Sequence, residues 1–61
     1  MVTTHYMPLR MRMVWEVLEA AKDVGDEFVI AACRRCIVAD RLGWKKHYDG
    51  HSLEIVKAFA Q

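Results

Sequence analysis

The sequence predicts a small, helix-dominated α+β protein, and three features of its 61 residues lead to that fold class. Apolar side chains recur at helical spacing over residues 9–24, which predicts an amphipathic N-terminal helix. The run from Phe28 to Ile30 favours a strand, because aromatic and β-branched side chains pack well on a pleated surface. Asp40 is well suited to cap a further helix, since its carboxylate can accept a hydrogen bond from the first turn.

A chain of this length forms one domain at most, because a shorter piece could not bury a core of its own. We therefore predict a single domain over residues 1–61. In this prediction residues 1–25 form a tail and the amphipathic helix, and residues 26–61 form a metal-bound unit with a C-terminal helix. The hydrophobic fraction of 54% is high for so small an interior. Part of the apolar surface is therefore expected to meet a partner or a second copy of the chain.

The N-terminal helix has clear start and stop signals. Pro8 suits the first helical turn because its fixed φ is already helical, and Gly25 suits the end because glycine accepts a left-handed conformation. An apolar stripe along the helix is predicted to mediate association, and the alternative is that it packs on the rest of the chain. The stripe consists of Met7, Met11, Val14, Leu18 and Ala21.

Most of the soft metal ligands of the chain lie in one window. Cys33 and Cys36 form a C-x-x-C pair, and after ten further residues His47 and His51 form an H-x-x-x-H pair. The first spacing lets two thiolates reach one ion from a tight turn, and the second places two imidazoles on one face of a helix. The four residues therefore predict a tetrahedral zinc site, which is structural because no coordination position stays open for chemistry.

A metal-free alternative remains open for the same residues. One continuous helix could run from Asp26 to Leu42, capped by Asp26 and ended by Gly43. It would bury Phe28, Val29, Ala32, Cys33, Cys36, Ala39 and Leu42. The two histidines would then be exposed. This alternative gives an all-α fold, a helical hairpin or a three-helix oligomer without metal.

Residues 28–51 resemble the ββα zinc finger with two cysteine and two histidine ligands, including short zinc-finger-like proteins of phages and bacteria. The C-x-x-C turn is followed by a brief apolar strand over Ile37–Ala39, then by Asp40 and the histidine pair, and Trp44 takes the apolar place three residues before the first histidine. The resemblance implies a zinc-bound module that contacts nucleic acid, with Lys46 as the only suitable side chain at a base-reading position. The gap of ten residues between the two pairs departs from the usual gap of about twelve.

Basic side chains concentrate in the second half of the chain, although the net charge is only +1. Residues 34–61 hold six basic and three acidic side chains, whereas residues 1–33 hold three basic and five acidic ones. The basic cluster is predicted to contact phosphates with a strong dependence on salt, and an ordinary solvated face is the alternative. Its members are Arg34, Arg35, Arg41, Lys45 and Lys46.

These features predict a non-catalytic binding protein. The metal pattern is accompanied by no phosphate-cradling glycine loop and no second carboxylate–histidine set, so an enzyme is not expected. The longest stretch free of Lys, Arg, Asp and Glu is residues 1–9, too short for an export signal or a membrane span, so a reducing, cytoplasmic location is expected. We predict a small intracellular zinc module that binds nucleic acid or a nucleic-acid-processing protein, and self-associates through residues 8–24. The alternative function is that of a metal-free, all-helical homo-oligomer acting through protein contacts.

Overall fold

The fold is a bundle of three α-helices. The computed structural model describes residues 8–61, with α1 over Leu9–Val24, α2 over Glu27–His47 and α3 over Gly50–Ala60. Each helix packs against the other two. No strand occurs within residues 8–61, so the predicted α+β fold is wrong and the all-α alternative is the observed arrangement. The resemblance to the ββα zinc finger is wrong for the same reason, since that family requires two strands before its helix.

The bounds of α1 agree with its sequence signals. The carbonyl of Pro8 accepts hydrogen bonds from the backbone N–H groups of Met11 and Arg12, at 2.9 and 3.1 Å, and so opens the first turn. Gly25 ends the helix in a left-handed conformation, with φ 73° and ψ 31°. Its N–H donates to the carbonyl of Lys22, and the N–H of the next residue donates to that of Ala21, which is the Schellman arrangement.

α2 begins after Asp26, the N-cap predicted in the metal-free alternative. The Asp26 carboxylate accepts a hydrogen bond from the backbone N–H of Val29 at 3.2 Å. The predicted strands over residues 28–30 and Ile37–Ala39 are therefore wrong, and both segments are helical. Their buried side chains recur every three or four residues, and this helical periodicity outweighs the strand preference of the β-branched residues. Asp40 is consequently not a cap and lies within the helix.

Gly43 interrupts α2. Its backbone has φ 108° and ψ 98°, so two helical pieces meet at a kink there, and the second piece ends at His47. Side chains of L-residues rarely adopt such a positive φ, whereas glycine accepts it without a steric penalty. The predicted stop at Gly43 is thus confirmed as the end of the regular helix, although helical turns resume after it.

One core joins the three helices. The predicted association stripe of α1 lies in this core: Met11, Val14, Leu18 and Ala21 are buried within the single chain, and Met7 lies outside the described residues. In this fold these four side chains pack against the chain's own helices and are not exposed to a partner. This is the arrangement of the alternative in which the stripe packs on the rest of the chain. The core consists of Met11, Val14, Val17, Leu18, Ala21, Val29, Ile30, Ala32, Cys33, Cys36 and Val56.

In the part of the chain that the structure covers, residues 8–61, no helix has the length and apolar character needed to cross a membrane.

The left-handed end of α1 yields the first prediction. Replacement of Gly25 by alanine should lower the free energy of unfolding by about 1–2 kcal/mol, because a Cβ disfavours positive φ. No atom lies within 4 Å of the added Cβ, so the loss comes from the backbone alone. Urea unfolding followed by circular dichroism measures it. A synthetic chain with D-alanine at the same position is the control, since a D-residue prefers positive φ; equal destabilisation by both alanines would contradict the prediction.

Candidate functional site

The structure separates the four predicted zinc ligands. Cys33 and Cys36 lie one turn apart on the inner face of α2 and are fully buried. His47 ends α2, His51 lies in the first turn of α3, and both are exposed. Among residues 8–61 no group of three or more His, Cys, Asp or Glu side chains is placed to hold a metal ion. The predicted finger-type site is therefore not formed in this fold, and zinc binding itself stays a prediction that metal content would test.

Both buried thiols have pKa values above the ordinary value for cysteine. Burial raises the pKa of Cys33. The pKa of Cys36 is raised to about 11, first by burial and then by the negative charges of Asp49 and Cys33, with Arg35 opposing the rise. Because the thiolate is the form that attacks electrophiles and ligates metals, the raised pKa values disfavour both reactions for these cysteines, which pack in the core of this fold.

A polar network connects the start of α3 to α2. Asp49 accepts two hydrogen bonds from Ser52, one from its backbone N–H at 3.0 Å and one from its hydroxyl at 2.9 Å. Arg35 Nε donates to Ser52 Oγ at 2.7 Å, and the same Nε lies 4.0 Å from Asp49 Oδ2. Ser52 is fully buried and satisfied by these bonds. The network therefore fixes the first turn of α3 against the middle of α2.

Asp49 is the N-cap of α3 and part of the site's polar network, a role that the sequence did not predict. Its pKa lies below the ordinary value, chiefly because the backbone N–H and the hydroxyl of Ser52 donate to its carboxylate, and secondarily because of Arg35 and His51. The available signal was an aspartate a few residues before an apolar run of helical spacing, since Asp is among the preferred N-cap residues.

Arg10 holds the segment that follows the kink. Its guanidinium carbon lies 4.4 Å from the centroid of the Trp44 ring, and its Nη2 lies 3.4 Å from Asp40 Oδ1. Trp44 in turn meets Tyr48 edge to face, with ring centroids 5.3 Å apart. These contacts join the start of α1 to the end of α2 and occupy the Asp40 carboxylate.

The outer face of α2 carries large apolar side chains in contact with water. The exposed fractions are 65% for Phe28, 53% for Val38 and 60% for Leu42. Their spacing, together with Ala31 and Arg35, alternates between three and four residues, so all five share one side of the helix. We call these five residues the outer stripe.

An open groove runs beside the C-terminal half of the outer stripe, with a volume of about 390 Å³. Its apolar lining comes from Val38, Ala39 and Leu42. Asp49 and His47, near the connection between α2 and α3, line it as well. Arg34 and Arg35 also line the groove. A groove of this kind, apolar with a few charged groups at its margin, suits a side chain or a short segment of another molecule.

The predicted nucleic-acid residues are all exposed. Arg34 and Arg35 border the groove, whereas Arg41, Lys45 and Lys46 follow along the end of α2. Within the described part of the chain, only Arg35 among these five has a carboxylate within 4.0 Å. The structure thus gathers the basic residues around the same end of α2 that exposes Val38 and Leu42. The strand predicted for Val38 is wrong, and so is the burial of Phe28 and Leu42 expected in the helical alternative, because all three side chains are exposed on α2.

No protein-family model, no curated protein and no solved structure matches this chain.

The polar network predicts a pH-dependent stability. Asp49→Ala should lower the urea midpoint at neutral pH, because Ser52 loses both acceptors, while Asp49→Asn should lower it less because an amide oxygen still caps the helix. The folded-state pKa of Asp49 is depressed, so its contribution is complete above the ordinary value of 3.8 and disappears as pH falls through the lower folded value. The gap between wild type and Asp49→Ala should therefore shrink in strong acid. A gap that is constant with pH would contradict this account.

The buried thiol pair predicts behaviour that differs from that of a zinc-dependent fold. Cys36→Ser should lower the free energy of unfolding by about 1–3 kcal/mol, because a hydroxyl replaces a thiol in the core. Cys36→Ala, which buries no polar group, is the matched control and should stay folded as well. Circular dichroism should show that both variants and the wild type keep their helical signal after exhaustive chelation. Loss of the wild-type signal on chelation would restore the metal-dependent interpretation.

Proposed function

We propose that this chain is a small, non-catalytic interaction module that binds another protein through the outer stripe of α2 and the adjoining groove. The observation that carries the proposal is the exposure of Phe28, Val38 and Leu42 on one side of a helix whose other side forms the core. Covering one such side chain stabilises a complex by about 1.5–3 kcal/mol when burial is complete. An exposed apolar row bordered by charges is typical of an interaction surface.

The shape of the surface favours a helical or extended segment as its occupant. The outer stripe extends for about 21 Å from Phe28 to Leu42, given the rise per residue of an α-helix. It is open along this length, unlike the concave pocket that encloses a small molecule. An amphipathic helix laid along an apolar groove is a recurrent mode of peptide recognition and matches both the length and the openness.

Nucleic acid is the second candidate partner. Arg34, Arg41, Lys45 and Lys46 are exposed and have no ion pair within residues 8–61, so they are available for phosphate contacts. Phosphate contacts, however, give no role to the apolar side chains of the outer stripe. Protein binding uses both kinds of residue, and for that reason it is the leading proposal.

Selection from a displayed library of helical peptides tests the proposed function. Peptides enriched on the wild type should bind the double variant Val38→Asp, Leu42→Asp at least about tenfold more weakly, because burial of both side chains is lost. The matched control is Leu9→Asp, Val24→Asp, which replaces exposed side chains of the same types on α1 with the same change in charge. The control should bind like the wild type.

Two results would overturn the proposal. One is the absence of any peptide whose binding depends on Val38 and Leu42. The other is binding of oligonucleotides, measured in parallel by fluorescence anisotropy, that is retained by the double variant at low salt and lost as salt rises. Circular dichroism of each variant confirms that the helices are intact before binding is compared.

A further inference from the structure

We infer that the segment bound by the outer stripe is an acidic amphipathic helix of another protein, an inference that rests on the function proposed above.

Positive charge borders the C-terminal half of the outer stripe, whereas the acidic Glu27 takes the equivalent flanking position before Phe28. Arg35 lies within the stripe, and Arg34 and Arg41 lie one position before Arg35 and Leu42, on one flank. Such flanking positions are those from which charged side chains reach a partner helix. A partner with carboxylates opposite these arginines would be favoured, and a basic partner would be repelled.

The carboxylates nearest to these arginines are already engaged. Asp49 accepts both hydrogen bonds from Ser52, and Asp40 lies against Arg10. Arg35 uses its Nε to hold Ser52, and within residues 8–61 its two terminal nitrogens have no hydrogen-bond partner. Its side chain is 48% exposed. The two terminal nitrogens can therefore donate to a carboxylate from outside, in the bidentate geometry that arginine favours.

A second copy of the chain does not meet these requirements. Pairing two outer stripes side by side, in a parallel or an antiparallel sense, brings Arg35 against the same arginine of the other copy, because Arg35 is the central residue of the stripe. The acidic outer face of α1, with Glu16, Glu19 and Asp23, also fails as the occupant. The apolar residues that recur at helical spacing on α1 lie in the core, and its exposed ones, Leu9, Trp15 and Val24, are six and nine residues apart and so form no row that could cover Val38 and Leu42.

The expected partner can be described from these contacts. It presents apolar side chains at helical spacing toward Val38 and Leu42, and one of them can enter the groove beside them. It carries Asp or Glu at the positions that face Arg34, Arg35 and Arg41. Its affinity should fall as salt rises, because the arginine contacts are partly exposed.

A charge-coded peptide library tests the inference. All members share one apolar pattern, and the flanking positions are randomised among Glu, Gln and Lys. Selection on the wild type should enrich Glu, and the enriched peptides should bind at least about tenfold more tightly than their Gln counterparts. The variant Arg34→Glu, Arg41→Glu should reverse the preference toward Lys. The control Arg12→Glu, Lys22→Glu makes the same change in net charge on α1 and should keep the preference for Glu.

The outcomes distinguish this inference from the function on which it rests. Peptides that depend on Val38 and Leu42 but show no preference for Glu would overturn the inference and leave the proposed function intact. The absence of any peptide that depends on those two residues would overturn both. Sedimentation equilibrium that shows a dimer of the wild type, abolished by Val38→Asp, Leu42→Asp, would assign the surface to a second copy and overturn the inference.

Discussion

The packing of one narrow face of α2 against α1 and α3 is the constraint on which the rest of the structure depends. That face begins with Val29 and Ile30 and continues with the small side chains Ala32, Cys33 and Cys36, which are fully buried. Small residues let helix backbones approach closely, and close approach is how a short chain reaches interior packing density with few side chains. Because α2 contacts both other helices, its inner face sets the orientation of its outer face. The outer stripe points to solvent as a consequence of this packing.

The network around Ser52 couples the core to the interaction surface. Ser52 is buried beside the core, yet the donor that satisfies its hydroxyl oxygen is Arg35, a member of the outer stripe. The hydrogen bond to Ser52 and the nearby Asp49 carboxylate restrain Arg35 in one orientation even before a partner binds. Restraint of this kind reduces the side-chain entropy lost on binding. The same hydrogen bond thus stabilises the fold and preorganises one charge of the proposed site.

The sequence was sufficient for α1 and insufficient for α2, for identifiable reasons. In α1 the apolar periodicity, Pro8 and Gly25 all favour the same helix, and the structure has those bounds. In α2 the spacing of Cys33 and Cys36 fits a metal turn and a helix face equally well, and Phe28 to Ile30 favour a strand locally. Only burial against α1 and α3 decides between these possibilities, and burial is not visible in a local pattern. The outer stripe was hidden for the same reason, since a helix with two apolar sides does not reveal which side faces the core.

The distribution of side-chain size across α2 supports a functional role for the exposed side. Stability alone would favour large apolar residues inside and small ones outside, because buried area provides the main stabilisation of a short chain. α2 does the opposite at several positions: Ala32 and Cys36 face the core, whereas Phe28 and Leu42 face water. A local departure from the pattern expected for stability is characteristic of functional sites, where binding requires what folding does not. The exposed apolar row on α2 is therefore better explained by what it contacts in a complex than by any contribution to the isolated fold.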